Sequence, residues 1–344
     1  MSNSFRIFKV ETKKHLKSYI HLPAKIHKNH SNWVPPIYMD EWIFYNPKKN
    51  LAFAHSTTTM LLAEKDGEIV GRIMGIINHQ YNDKLGVKDA RFCFLETYND
   101  LEVAKALLKE IEEWAIENGM ERVIGPLGFS DKDPQGLLIE GFDEPTVIAT
   151  NCNFPYLVDF VEQAGYEKEL DLVVYKVDVP KEIPEFYQKV YERACSSNSN
   201  LRLVNIKSKK EIRQYVKPVL TLVNETFTGI YGFAELTDKE MVEFAERYII
   251  VLNPRFLKVI VDEKNEVVAF ILGMPDLSEG VKKSRGYMFP IGVFNVLKSQ
   301  KKTKQLNLLL GAIKPEYQNK GISTMLGVAM LEEAVNAGMT HIDS

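Results

Sequence analysis

The stretch Leu308–Ala337, LLLGAIKPEYQNKGISTMLGVAMLEEAVNA, decides how the whole chain is read. Leu308, Leu309 and Leu310 form an apolar run of the kind a buried strand needs. Pro315 closes the run, because proline has no N–H to give to a ladder. Gln318, Asn319, Lys320 and Gly321 then make a bend without a large apolar group, and Ile322, Met325, Leu326 and Ala329 recur at helical spacing. A strand, a polar bend and a helix in this order aim several backbone N–H groups at one point, and the helix dipole adds partial positive charge there. A phosphate matches such a place. Gly321 matters because a Cβ would obstruct close approach of a ligand to the backbone.

Working outward, 344 residues exceed one compact core and predict two domains. Hydrophobic residues at 45% and charged residues at 26% describe an ordinary globular chain. A net charge of −3 supplies no electrostatic argument for nucleic acid. Cys93, Cys152 and Cys195 are odd in number and lack CxxC spacing, which argues against a disulfide framework or a zinc site. Each is expected to be a reduced thiol packed as a small hydrophobe. His15, His21, His27 and His30 share one helical stretch without an i, i+4 face, so solvent exposure is expected for them and no metal. The start has no signal-peptide core, and the longest apolar runs, such as Tyr248–Leu252, fall far below the about 20 residues that span a bilayer. A cytoplasmic protein without a transmembrane segment is the expectation.

In chain order, Phe5–Val10 reads as a strand, Lys13–His30 as a helix, and Met60–Asn78 as a hairpin turning at Asp66–Gly67. Arg91–Glu96 is another strand, Asp100–Asn118 a helix stopped by Gly119, and Glu121–Gly125 a strand. Asn153–Lys168 reads as a short helix and Asp171–Val177 as a strand. Glu185–Cys195 is a linking helix, followed by the linker Ser196–Asn200.

The pattern then begins again. Leu201–Val216 lies over Phe5–Ile20, with Arg6, Lys13, Lys14 and Tyr19 matching Arg202, Lys209, Lys210 and Tyr215. EVVAFILG (266–273) lies over EIVGRIMG (68–75), and NAGM (336–339) over ENGM (117–120). The shifts, 266 − 68 = 198 and 338 − 119 = 219, place an insertion in the second copy within Pro275–Gln305, expected to be a long exposed hairpin or flap. The expected domains are residues 1–178, a linking helix and linker at 179–200, and 201–344. The second copy ends soon after the point equivalent to Val123, so it is expected to be incomplete at its C-terminal end, with the natural chain continuing.

This order of elements resembles the GNAT acyl-CoA N-acyltransferase fold, an α/β fold built on a mixed sheet, here as two tandem copies. The bend resembles that family's Q/R-x-x-G-x-G/A loop: Gln318-Asn319-Lys320-Gly321-Ile322-Ser323, with serine as the last small residue. The resemblance implies that the loop amides hold the diphosphate of acetyl-CoA or another acyl-CoA. It also implies that Leu310, Gly311, Ala312 and Ile313 meet the pantetheine arm, and that Ala312 N–H or Ile313 N–H faces the oxyanion. Aligned at a shift of 219, the same loop falls on Asn99–Ala104, with Glu102 in place of Gly321 and Asp100 in place of Asn319. Two carboxylates there disfavour a diphosphate, and they are also ordinary helix-capping residues. Either way the first copy is expected not to bind CoA and to act as a structural or substrate-shaping domain.

Acyl transfer to an amine needs a base, an oxyanion donor and an acid for the thiolate. Glu225, Tyr231, Glu235 and Asp276 are candidates for the base, and each also reads as surface or packing, so no catalytic residue is fixed. The basic run Lys298–Lys304 reads as a soluble end or as an attractor of anions. The expected function is acyl-CoA-dependent transfer, acetyl in the simplest case, to a primary amine of a small molecule or protein. The alternative is a non-catalytic ligand sensor or partner-binding protein on the same fold.

Overall fold

The computed structural model describes residues 5–147 and 150–344. Packing divides the chain into two units. The first comprises Met1–Leu172 with Tyr231–Ala234 and Val281–Val293, and the second Val173–Ile230, Glu235–Gly280 and Phe294–Ser344.

The first half contains β1 (Phe5–Lys9), α1 (Lys13–Ile26), α2 (Tyr38–Phe44), β2 (Ser56–Lys65), β3 (Glu68–Asn78), α3 (His79–Leu85), β4 (Asp89–Thr97), α4 (Leu101–Glu117), β5 (Arg122–Ile124) and α5 (Pro155–Gln163). Its sheet runs β1-β2-β3-β4-β5, antiparallel except for the parallel β4–β5 pair. Alternation along the strands separates two cores. Leu61, Ile73 and Phe92 face Val103, Leu107 and Ile111 of α4, whereas Leu62, Met74 and Cys93 face Tyr19 and Ile20 of α1. Close approach of α4 to β3 depends on Gly75, where a Cβ would lie 2.8 Å from the Trp114 ring.

The second half contains β6 (Lys176–Asp178), α6 (Glu185–Ser197), β7 (Arg202–Val204), α7 (Lys209–Thr226), α8 (Asp238–Tyr248), β8 (Leu257–Val261), β9 (Val267–Pro275), α9 (Ser278–Lys283), α10 (Gly292–Gln300), β10 (Gln305–Ile313), α11 (Ile322–Asn336) and β11 (His341–Asp343). Its sheet runs β6-β11-β10-β9-β8-β7. From β7 to β11 it repeats the first sheet strand for strand, including the parallel β10–β11 pair. The copies agree in detail. Thr12 and Ser208 hydroxyls cap α1 and α7, each helix carries an internal proline (Pro23, Pro218), and β4 and β10 each carry a bulge.

Three expectations change. The insertion within Pro275–Gln305 is not a hairpin; α9 and α10 occupy much of it. Asp171–Val177 is not a strand of the first sheet: only Lys176–Asp178 is extended in a ladder, and it pairs antiparallel with β11 of the second. The helix histidines are not all exposed, since His27 retains 2% of its surface.

Candidate functional site

In the second unit β10 and β11 pair only over Gln305–Asn307 and His341–Asp343, while β10 continues to Ile313. Among the described residues no strand lies beside Leu308–Ile313 on that side. Leu308, Leu309 and Leu310 are half-buried and Gly311 is exposed. On the other side β10 stays paired with β9. Lys314 N donates to Val268 O at 2.9 Å. The alternation of an antiparallel ladder then turns Leu310 and Ala312 N–H toward β9, and Gly311 and Ile313 N–H toward the open edge. Of the two expected oxyanion donors, only Ile313 has this orientation.

The bend follows at once. A short 3₁₀ turn at Pro315–Tyr317 leads to Asn319 and Gly321, both left-handed, at φ 59° and 81°. Gln318 Nε2 donates to Ile313 O at 3.2 Å, which ties the bend to the strand edge. Gly321 is the N-cap of α11 and no side chain caps that end. Gln318, Asn319, Lys320 and Ser323 are exposed around it, and the first turn carries no acid. An uncapped helix end with exposed polar neighbours suits an anion. Gly321 also serves packing: a Cβ would come 3.2 Å from Ala194 Cβ of α6. Asn198 Nδ2 donates to Lys320 O at 2.8 Å and fixes the bend from the same side.

The first unit answers each of these features differently. Tyr98 N donates to Val70 O, the counterpart of the Lys314–Val268 bond, so Thr97 corresponds to Ile313. Only Tyr98 and Asn99 separate Thr97 from Asp100, the N-cap of α4, whereas Lys314–Lys320 separate Ile313 from Gly321. Asp100 therefore stands opposite Gly321, and Glu102 does not, which corrects the alignment at a shift of 219. The Gln318–Gly321 bend has no counterpart here. Asp100 accepts from Val103 N at 3.4 Å and from Lys65 Nζ at 2.7 Å. Burial works against the Asp100 charge, but those two donors outweigh it and hold the carboxyl below its usual range. The strand edge is taken as well. Leu127 N donates to Phe92 O at 2.9 Å, and Tyr156 OH donates to Thr97 O at 2.8 Å.

The base candidates are dispersed. Asp276 is buried and accepts both the N–H and the hydroxyl of Ser278, at 3.1 and 2.7 Å, so its carboxylate is tied to the first residue of α9. Tyr231 donates its hydroxyl to Glu169 in the first unit. Glu225 is exposed and Glu235 half-buried.

The first unit contains a relay that the sequence reading missed. Glu96 Oε2 lies 3.1 Å from His27 Nε2, and His27 Nδ1 lies 3.0 Å from His30 Nδ1. A carboxylate only accepts, so Nε2 of His27 carries hydrogen. With both rings neutral, His30 must then donate from Nδ1, which leaves its Nε2 as a proton acceptor. Trp33 and Phe154 stack on His27 at 5.2 and 4.9 Å. Burial, then the neighbouring His27, lowers the His30 pKa and favours its neutral form. Cys152 Sγ lies 3.9 and 4.0 Å from the two nitrogens of His30, and burial raises its thiol to about 11. The signal in the sequence was the three-residue spacing of His27, His30 and Trp33 past the helix end. Its partners Glu96 and Phe154 are remote in sequence. No group of three metal-ligating side chains forms among the described residues.

By fold the chain is a tandem GNAT-like protein, with two copies of the acyltransferase fold in one polypeptide. The profile of the acetyltransferase (GNAT) family matches residues 26–126, which lie in the first copy. The chain is 27% identical over 337 residues to the bacterial ceramide synthase of Caulobacter vibrioides, covering 97% of this chain and 87% of that one. It is 25% identical over 325 residues to protein YghO of Escherichia coli, covering 93% and 81%. Among solved structures, a tandem GNAT protein from the clavulanic acid biosynthesis pathway superposes with a TM-score of 0.50 at 12% identity, covering 99% and 89%. No helix among the described residues is long and apolar enough to cross a membrane.

Proposed function

We propose that the chain is an acyl-CoA-dependent N-acyltransferase whose second copy holds the CoA ester, and that its acceptor is a long-chain amino alcohol. One observation carries the first part: Gly321 leaves the N-terminus of α11 uncapped at the end of a strand whose far edge is open. The diphosphate would lie against Gly321, Ile322 and Ser323, with Gln318, Asn319 and Lys320 around it. The pantetheine would run along Leu310–Ile313. In the reaction the amine nitrogen attacks the thioester carbonyl, the C–S bond breaks, and the CoA thiolate leaves with the proton that the amine gives up. Ile313 N–H would donate a hydrogen bond to the developing oxyanion. The likeness to a ceramide synthase along almost the whole chain supports a lipid amine over a short polyamine or peptide. The expected acyl group is correspondingly longer than acetyl.

The test is release of CoA thiol from acyl-CoA esters of graded length, with a sphingoid base, a polyamine or a peptide amine as acceptor. The reading requires amide product and thiol release in equal amounts, with the sphingoid base preferred. Absence of binding of every CoA ester in calorimetry overturns it and favours a non-catalytic role.

A further inference from the structure

The segment between β9 and β10 has a composition unlike the rest of the chain. From Gly280 to Gln305 it carries Lys282, Lys283, Arg285, Lys298, Lys301, Lys302 and Lys304 and no aspartate or glutamate, in a chain whose net charge is −3. The same segment exposes four large apolar side chains. Tyr287 is 55% exposed, Phe289 70%, Ile291 65% and, at the start of α10, Phe294 70%.

These side chains are held outward by a fixed backbone. Gly286 has φ 77°, its N–H bonds Val281 O at 3.1 Å, and its carbonyl accepts Tyr38 N at 3.1 Å. A Cβ on Gly286 would come 2.3 Å from Pro36 O, so no other residue fits there. One face of the Tyr287 ring is spent on Tyr38, 4.8 Å away. Val293 N closes the turn on Met288 O at 2.9 Å. At Gly292 a Cβ would lie 1.9 Å from Tyr287 O, which explains a second glycine at the closure. The turn thus presents Phe289, Pro290 and Ile291 at its tip, with the exposed cations Lys283 and Arg285 just before it in the chain.

We infer that this turn docks the protein on a bilayer containing anionic phospholipid. Aromatic and aliphatic tips enter the headgroup boundary, and long cationic side chains reach the phosphates beside them. A protein partner with an acidic rim would match the charge. The wholly apolar tip, however, offers no hydrogen-bonding side chain from Met288 to Phe294, whereas a typical protein interface carries many such bonds. The inference stands apart from the acyl-transfer reading, and its test uses no activity.

The full chain is mixed with vesicles of phosphatidylcholine alone, and of phosphatidylcholine with phosphatidylglycerol, and the bound fraction is read by flotation. Binding to the anionic vesicles is expected to be at least about tenfold tighter and to weaken as salt is raised. F289S combined with I291S, and K283E combined with R285E, alter exposed side chains. Each pair is expected to lose binding while its thermal unfolding matches wild type. Equal binding to the two vesicles, no binding to either, or wild-type binding by both variants overturns the inference. So does tip-dependent self-association in light scattering without vesicle binding.

Discussion

The Lys65 ammonium lies 2.7 Å from the Asp100 carboxylate at the N-terminus of α4. That pair occupies the place which, in the other copy of the fold, is the uncapped end at Gly321. One copy satisfies its helix end with a side chain, and the other leaves the same end without a side-chain cap.

Transplanting the carboxylate tests this contrast. Ser323 is exposed in the first turn of α11, and S323D places an anion beside the N-terminal amides. Helix stability is expected to rise by about 0.3–1 kcal/mol, while affinity for CoA falls by about tenfold or more through like-charge repulsion. Thermal unfolding and calorimetry with CoA read the two effects separately. A parallel loss of both would mean that the site is only misfolded.

D100A removes a cap and an ion pair together. A loss of about 1–2 kcal/mol at neutral pH is expected in urea unfolding. The folded pKa of Asp100 is depressed, so its contribution is present above the unfolded value near 3.8 and is lost as pH falls through the folded value. Wild type and variant should therefore converge in strong acid.

His30 sets a second pH dependence. Its folded pKa lies below the ordinary 6.5, so the neutral ring favours the folded state above that pH and the benefit is lost as pH falls below it. H30Q is expected to flatten this limb of the stability curve, leaving the part due to His21, whose pKa burial also lowers. H27A opens a cavity between Trp33 and Phe154 and strips Glu96 of its partner; a loss of about 2–4 kcal/mol is expected at pH 7. Chemical denaturation across about pH 4.5 to 8.5, two units either side of an ordinary histidine, checks both.

Glu41 behaves in the opposite sense. Burial raises its carboxyl to about 7, against a smaller pull from the Arg72 guanidinium. Stability is complete below the unfolded value near 4.5 and is lost as pH rises toward 7. E41Q should match wild type in mild acid and exceed it by about 1–2 kcal/mol in mild base. Melting temperature against pH reads the crossover.

Much of the fold was legible because it rests on local signals. Asp66–Gly67 fixed the β2–β3 hairpin, Asp100 and Gly119 bracketed α4, and the repeated EIVGRIMG and EVVAFILG marked β3 and β9. The insertion was located, but its helices were not foreseen, since lysine and glycine content predicts exposure better than conformation. Of the candidate site, the bend at Gln318–Ser323 could be read from its glycine and the strand before it. The relay could not: His27 and His30 gain their meaning from Glu96, 69 residues away from His27 in sequence, and from Phe154 beyond that.

The sequence alone determined that one α/β unit occurs twice, because hydrophobic period and turn chemistry are properties of contiguous residues. It also determined that only the second copy keeps a glycine bend before its helix. Tertiary structure alone decided that Lys176–Asp178 joins the second sheet, that Asp100 and not Glu102 stands opposite Gly321, and that Ile313 rather than Ala312 turns its N–H to the open edge. Each of these depends on register, which is set by pairing between distant strands and by nothing in the local chain.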